Sequence, residues 1–249
     1  MSTHTSIAVL ADIHGNSLAL KATLDDIARR GITRVVNLGD IFYGPLDPAG
    51  TWEILRELEI PTILGNQDRI LLEGGPQWEG IPTFKTTVDG IGKDGMEWLR
   101  SLPATQLMDD TILLCHGTPK DDLKYLLEDI TTGLPAVRDC TEMEDDILPE
   151  AIHSSLILAG HSHHPGLARC HDRTLINPGS VGLPAYDDDD PPHIMASGSP
   201  HAKYAIVERR DGLWDADFVN VEYNWQKAAE MARNNGREDW AEWLLTGMA

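Results

Sequence analysis

The stretch Ile7-Ala8-Val9-Leu10-Ala11-Asp12-Ile13-His14-Gly15-Asn16 decides the fold. Five apolar residues in a row read as a strand buried on both faces, because a half-exposed strand would alternate with polar residues. The run stops at Asp12, His14 and a Gly-Asn turn. A helix is expected from about Ser17, with Leu18, Leu20, Leu24 and Ile27 near helical spacing and Gly31 as its stop. The rhythm repeats downstream. Val35–Leu38 reads as a second strand ending in Gly39-Asp40. Asp47 and Pro48 open a helix as N-cap and first-turn proline, and Trp52, Leu55 and Leu58 follow at helical spacing. Pro61–Leu64 is a third strand, ending at Gly65-Asn66. This βαβαβ order predicts right-handed crossovers onto a partly parallel sheet.

The second half favours hairpins. Asp109-Asp110, His171-Asp172-Arg173 and Asp211-Gly212 each separate two apolar runs. Leu156–Ala159 is a further buried strand, and residues 120–152 read as acidic and helical, with turn residues between. Tyr186–Pro200, containing Asp187–Asp190, reads as a long acidic loop. Two short C-terminal helices are expected over 224–247, parted near Asn235-Gly236, with Trp225, Trp240 and Trp243 packed against a sheet. No linker divides the chain, so residues 1–249 are taken as one α/β domain, two sheets face to face with helices outside.

Composition narrows the function. The 249 residues carry 20 Lys and Arg against 40 Asp and Glu, a net charge of −20. Such a chain has no bulk attraction for long nucleic acids or anionic membranes. The start lacks both the basic stretch and the apolar run of a signal peptide, and no run approaches the length of a membrane span. The three scattered cysteines argue against a disulfide framework and for a reducing, cytoplasmic setting.

The strand ends carry the chemistry, as α/β proteins place their sites there. In order they read Asp12-Ile13-His14, Gly39-Asp40, Gly65-Asn66, His116-Gly117 and Gly160-His161-Ser162-His163. Together they offer two Asp, one Asn and four His as metal ligands, a set that suits borderline divalent ions. One carboxylate can bridge two ions, and the excess positive charge left there attracts phosphate even on an acidic protein.

This ordered set resembles the signature of calcineurin-like metallophosphoesterases, and Asn177-Pro178-Gly179-Ser180-Val181-Gly182 extends the likeness toward small bacterial members. The resemblance implies a four-layer α/β/β/α sandwich of two mixed sheets. It implies that Asp12, His14 and His163 hold one ion and Asn66, His116 and His161 the other, with Asp40 and a hydroxide bridging them. Manganese is the first expectation for both ions, with iron, nickel or zinc as alternatives. The reaction implied is hydrolysis of a small or nucleotide-like phosphoester, most simply a diester. A phosphomonoesterase, a nucleoside polyphosphate hydrolase and a metal-binding scaffold are the other readings. A homodimer is compatible with the sequence.

The chain departs from the family pattern at Gly65-Asn66-Gln67-Asp68, where the family usually has His in place of Gln67. An amide cannot protonate a leaving oxygen, so the rate should depend steeply on leaving-group basicity unless another acid is at hand. His164 and His193 are the first candidates for that acid. Asp68 would lose the ring it normally orients, and Arg69 either pairs with Asp68 or meets a phosphate oxygen. Tyr186–Pro192 is expected near the mouth of the cleft, where the charges of Asp187–Asp190 disfavour long polyanions.

Overall fold

The computed structural model describes residues 6–78, 80–147, 151 and 153–249. Strand β1 (Ile7–Leu10) lies inside a four-stranded sheet of order β13-β12-β1-β2. It runs parallel to β2 (Arg34–Asn37) with Ile7 opposite Arg34, and antiparallel to β12 (Ala202–Arg210) with Ile7 opposite Val207. Helix α1 (Ser17–Arg29) makes the crossover between β1 and β2, capped by Asn16, whose Oδ1 accepts the Ala19 N–H at 3.1 Å. Helix α2 (Pro48–Leu55) starts as the sequence predicts, with Asp47 accepting the Gly50 N–H at 2.9 Å.

Both faces of β1 are used, in period two. Ala8 and Leu10 pack with Leu20, Ile27, Trp52, Leu55 and Leu99 beneath the helices, while Ile7, Val9 and Ala11 meet the second sheet. That sheet has the order β3-β4-β7-β9-β8, formed by Gln106–Met108, Ile112–Leu114, Leu156–Leu158, Arg173–Asn177 and Gly166–Cys170 respectively. Its Leu114, Leu156, Leu158 and Ile176 close the core between the sheets. Helices α3 (Asn66–Glu73) and α4 (Pro82–Ser101) join the helical layer on the first sheet through Leu71, Ile91 and Leu99, and β13 (Leu213–Val221) pairs with β12 across the Asp211-Gly212 turn.

Four expectations need correction. Pro61–Leu64 contributes a single bridge, Thr62 to Asn37, because the Leu64 N–H turns away to Pro103. Residues 120–147 are mostly irregular, with a small hairpin, β5 (Glu128–Asp129) and β6 (Ala136–Val137), and one short helix, α5 (Cys140–Asp145). Buried Arg138 holds this segment through the carbonyls of Tyr125 and Leu126 and the Asp146 carboxylate, contacts that spacing cannot reveal. Residues 148–150 and 152 of the predicted helical span lie outside the described residues. The acidic loop is a hairpin, β10 (Ala185–Asp189) with β11 (Pro192–Ala196). His193 and Met195 turn inward there and anchor aspartates that are poor strand formers by themselves. Finally, Cys140 and Cys170 form a disulfide that joins α5 to β8, so the argument from three free thiols is overturned and Cys115 alone is free.

Outside the second sheet, Leu113, Leu126, Leu127, Met143 and Ile157 form a thinner outer layer with α5. The C-terminal helices α6 (Trp225–Asn234) and α7 (Glu238–Thr246) form where expected. They pack on Leu46 and Leu183, with Tyr186 of β10 in the same cluster. Among the described residues, no helix is long and apolar enough to cross a membrane.

Candidate metal centre

The strand-end loops meet because their backbones bond to one another. The N–H groups of Asp12, His14 and Gly15 donate to the carbonyls of Gly39, Asp40 and Ile41 at 2.9–3.0 Å. Asp12, His14, Asp40, His161 and His163 all have left-handed backbones, with φ between 51° and 70°. Non-glycine residues rarely hold that conformation, and such strain collects at functional sites. Asn177 and Ser180 brace the cluster. Asn177 donates to the Gly160 carbonyl at 2.6 Å, and the Ser180 hydroxyl donates to the Asp12 carbonyl at 2.8 Å. Gly182 admits no side chain, since a Cβ there would lie 1.8 Å from the Ile13 carbonyl oxygen.

Two sets of donor atoms lie within 4.8 Å of one another: Asp12 with His14 and His163, and Asp12 with Asp40 and His116. All five residues are buried. Backbone carbonyls around the cluster set the imidazole tautomers. Nδ1 of His14, His116 and His163 lies 2.8–3.0 Å from the carbonyls of Tyr43, Leu38 and Leu183. A carbonyl only accepts, so each Nδ1 carries the proton and each Nε2 faces inward, as in metal-binding histidines. His161 is reversed: its Nε2 faces the Leu123 carbonyl at 3.1 Å, which leaves Nδ1 for a ligand.

His14 Nε2 and His163 Nε2 then face each other at 3.0 Å. Burial lowers the pKa of both rings, so two lone pairs meet there in the neutral state. Asp12 Oδ2 is buried without a hydrogen-bond partner. Burial, with Asp40 adding to it, raises the Asp12 carboxyl well above its usual range. A cation between these atoms relieves both conflicts, and the donor set fits one. Burial opposes charge on Asp40 and His116 as well, yet their mutual attraction prevails, holding Asp40 below the carboxylate range and pushing His116 up to about 10. Burial and the neighbouring His116 bring His161 down to about 4.

The remaining expected residues divide. Asn66 Oδ1 lies 3.0 Å from His116 Nε2, inside the cluster. Gln67 donates its backbone N–H to Asp40 at 2.9 Å, and its side chain lines the cavity. Asp68 is buried and pins two loops, accepting the N–H groups of Ile41 and Gly65 at 3.0 and 2.9 Å. Arg69 pairs with neither Asp68 nor anything in the cavity, because Asp122 takes its fork at 2.7 and 3.0 Å and Glu73 takes the other nitrogen.

The cluster opens into a cavity of about 970 Å³. Its wall includes Asp187, Asp188 and Asp190, which places the acidic hairpin beside the candidate ligands. It also includes Tyr125, Glu128, Tyr186, His193 and Trp240, of which the sequence flagged Tyr186 and His193 as near the cleft. Trp240 meets His14 edge-on with ring centroids 5.7 Å apart. No local pattern marks Tyr125, Glu128 or Trp240, which arrive from segments distant from the strand ends.

Comparison with known proteins agrees with this geometry. Residues 6–198 match the calcineurin-like phosphoesterase superfamily domain. An uncharacterized protein of Methanocaldococcus jannaschii is 29% identical, over 94% of each chain. The crystal structure of a metallophosphoesterase from Sphaerobacter thermophilus is 25% identical, covers 98% of this chain and 100% of its own, and superposes with a TM-score of 0.74. A hypothetical protein of Pyrococcus horikoshii, 22% identical over 97% and 98% of the two chains, shares the fold with a TM-score of 0.75.

Proposed function

The chain belongs to the calcineurin-like phosphoesterase superfamily and is a metal-dependent phosphoric ester hydrolase, and from that premise we propose that it is a dinuclear phosphodiesterase acting on small or nucleotide-like substrates. Asp12, His14 and His163 would hold one divalent ion, and Asn66, His116 and His161 the other. The observation that carries this reading is the placement of Asp40. Its Oδ2 lies 3.9 Å from His14 Nε2 and its Oδ1 3.4 Å from His116 Nε2, so its two oxygens face one histidine from each set. A pair of divalent ions supplies Lewis acidity, an activated water and a clamp on phosphoryl oxygens. The protein's part is orientation. The carbonyls of Tyr43, Leu38 and Leu183 fix the ligand rings, and Asp68 locks the Asp40 loop to the Asn66 helix.

Substrate size follows from the cavity, whose volume lies near the upper end of small-ligand sites, about 300–1,000 Å³. The aspartates on its wall oppose long polyanions, leaving compact phosphodiesters as the favoured class. Manganese is the ion we assign first, on the mixed imidazole and carboxylate donors. The test is elemental analysis of manganese-loaded, washed protein together with turnover of an aryl phosphodiester and its monoester. Two ions per chain and faster diester hydrolysis are expected, and Asp40→Asn should lose both ions and turnover. At most one ion per chain in the unmodified protein refutes the dinuclear site, and faster monoester hydrolysis refutes the diester preference.

A further inference from the structure

The last helix brings an aromatic and cationic face to the cavity. Arg237, Trp240 and Trp243 all line its wall, and they come from beyond residue 198, where the matched phosphoesterase domain ends. Trp240 is buried and joins this face to the candidate metal centre. Its ring lies 5.7 Å from that of His14, and the Arg237 guanidinium carbon lies 5.3 Å from its centroid on the other side of the contact. Arg237 therefore stands one aromatic side chain away from a proposed metal ligand. Trp243 continues the face, its ring 6.4 Å from that of Trp240, and it is only half-buried, so part of the ring is left for a ligand.

Charge singles out Arg237. The wall holds two other cations, Lys124 and Arg138, and both bond to Asp146, which is itself part of the wall. Arg237 pairs instead with Asp239, an exposed residue of α7. An exposed pair of this kind contributes little to stability, so exchanging it for a ligand costs little. The bonds to Asp239 use Nε and Nη2, and among the described residues none takes Nη1. The rest of the wall is rich in carboxylates, among them Glu142, Asp145, Asp187 and Asp188. An anionic group entering the cavity is repelled by those and attracted to Arg237. A guanidinium bonds phosphate oxygens with its edge while its face rests on an aromatic ring, and Trp240 supplies that ring.

We propose that Arg237 and Trp243 form the subsite for the part of the substrate that the ions do not hold, with Arg237 binding a second phosphate and Trp243 stacking on a planar base. The inference rests on the phosphodiesterase reading given above and narrows its substrates to nucleotides that carry a phosphate besides the ester being cleaved. Metal ions meet only the phosphoryl oxygens common to all phosphodiesters, so the choice among diesters is made where the remainder of the molecule lies. Trp240 is a positioning residue here, setting the guanidinium against the ring that packs on His14.

The test uses three nitrophenyl phosphodiesters with manganese-loaded protein. The second alcohol is methanol, thymidine through its 5′ oxygen, or thymidine 3′-phosphate through its 5′ oxygen. The leaving group is the same throughout, so the ratios of kcat/KM report what binds the remainder. In the unmodified protein the thymidine ester should exceed the methyl ester by ~5-fold or more, and the 3′-phosphate should add a further ~10-fold or more, chiefly through KM. Added salt should shrink the gain from the phosphate and spare the gain from the base. Arg237→Gln should abolish the first gain and keep the second, and Trp243→Leu should do the reverse. Damage to α7 as a structural element would instead lower all three esters alike and leave both ratios as they are. Equal kcat/KM for the three esters in the unmodified protein, or ratios unmoved by the two substitutions, overturn the subsite and leave the hydrolase reading intact. If the unmodified protein cleaves none of the three, the phosphodiesterase reading falls and takes the subsite with it.

Discussion

Replacing Glu128 with glutamine should stabilise the metal-free protein at alkaline pH and leave it nearly unchanged in acid. Glu128 is buried on the cavity wall, and its Oε2 has no hydrogen-bond partner. Burial pushes its carboxyl up to about 8, from an ordinary value of 4.5, against the opposing pull of Ser162, nearby backbone N–H groups and Arg138. Between those two values the folded chain keeps a proton at Glu128 that the unfolded chain has released. Stability therefore falls as pH rises through that window, by at most ~1.4 kcal/mol per pH unit, and the loss is complete above the folded value. A difference of 3.5, from 8 less 4.5, corresponds to a total of about 5 kcal/mol. Glutamine keeps the shape and cannot ionise, so the variant lacks this loss. The assay is urea unfolding of metal-free protein at several values from pH 5 to pH 9, with the stability difference plotted against pH. It should grow with pH by several kcal/mol and level off above about 8. A difference that stays flat across the range refutes the claim that Glu128 is held neutral by burial.

Two further outcomes follow from the site. A Cβ at Gly65 would lie 2.1 Å from Asp40 Oδ1 and 2.3 Å from the Asp40 nitrogen. Gly65→Ala should therefore cost about 1–3 kcal/mol in urea unfolding and weaken manganese binding in calorimetric titration, and unaltered affinity would show that the Asp40 position is not critical. Replacing Asp187–Asp190 with serine should raise oligonucleotide hydrolysis relative to a small aryl diester at low salt, where charge reaches furthest, and an unchanged ratio removes the hairpin from substrate choice.

Much of the centre is legible in the chain because its parts are local. An apolar run that stops at a polar turn places Asp12, Asp40, His116 and His161 just beyond strand ends whatever surrounds them, while Asn66 opens α3. The helix starts at Asn16 and Asp47 are equally local, since a cap acts within one turn. The reading failed where identity depends on residues far apart. Arg69 finds Asp122, 53 positions away, instead of Asp68. Cys140 meets Cys170 only because α5 packs on β8. Asp187, Asp188 and Asp189 form a strand because Met195 and His193 bury their side of the hairpin. Tyr125 reaches both His193 and Tyr186 only when its segment meets the β10–β11 hairpin. The sequence by itself determined which candidate ligands follow which apolar runs, through periodicity and turn chemistry that act over a few residues. Only the tertiary structure decided what lines the cavity around them, because those contacts depend on the orientation and register of whole elements, which no local pattern encodes.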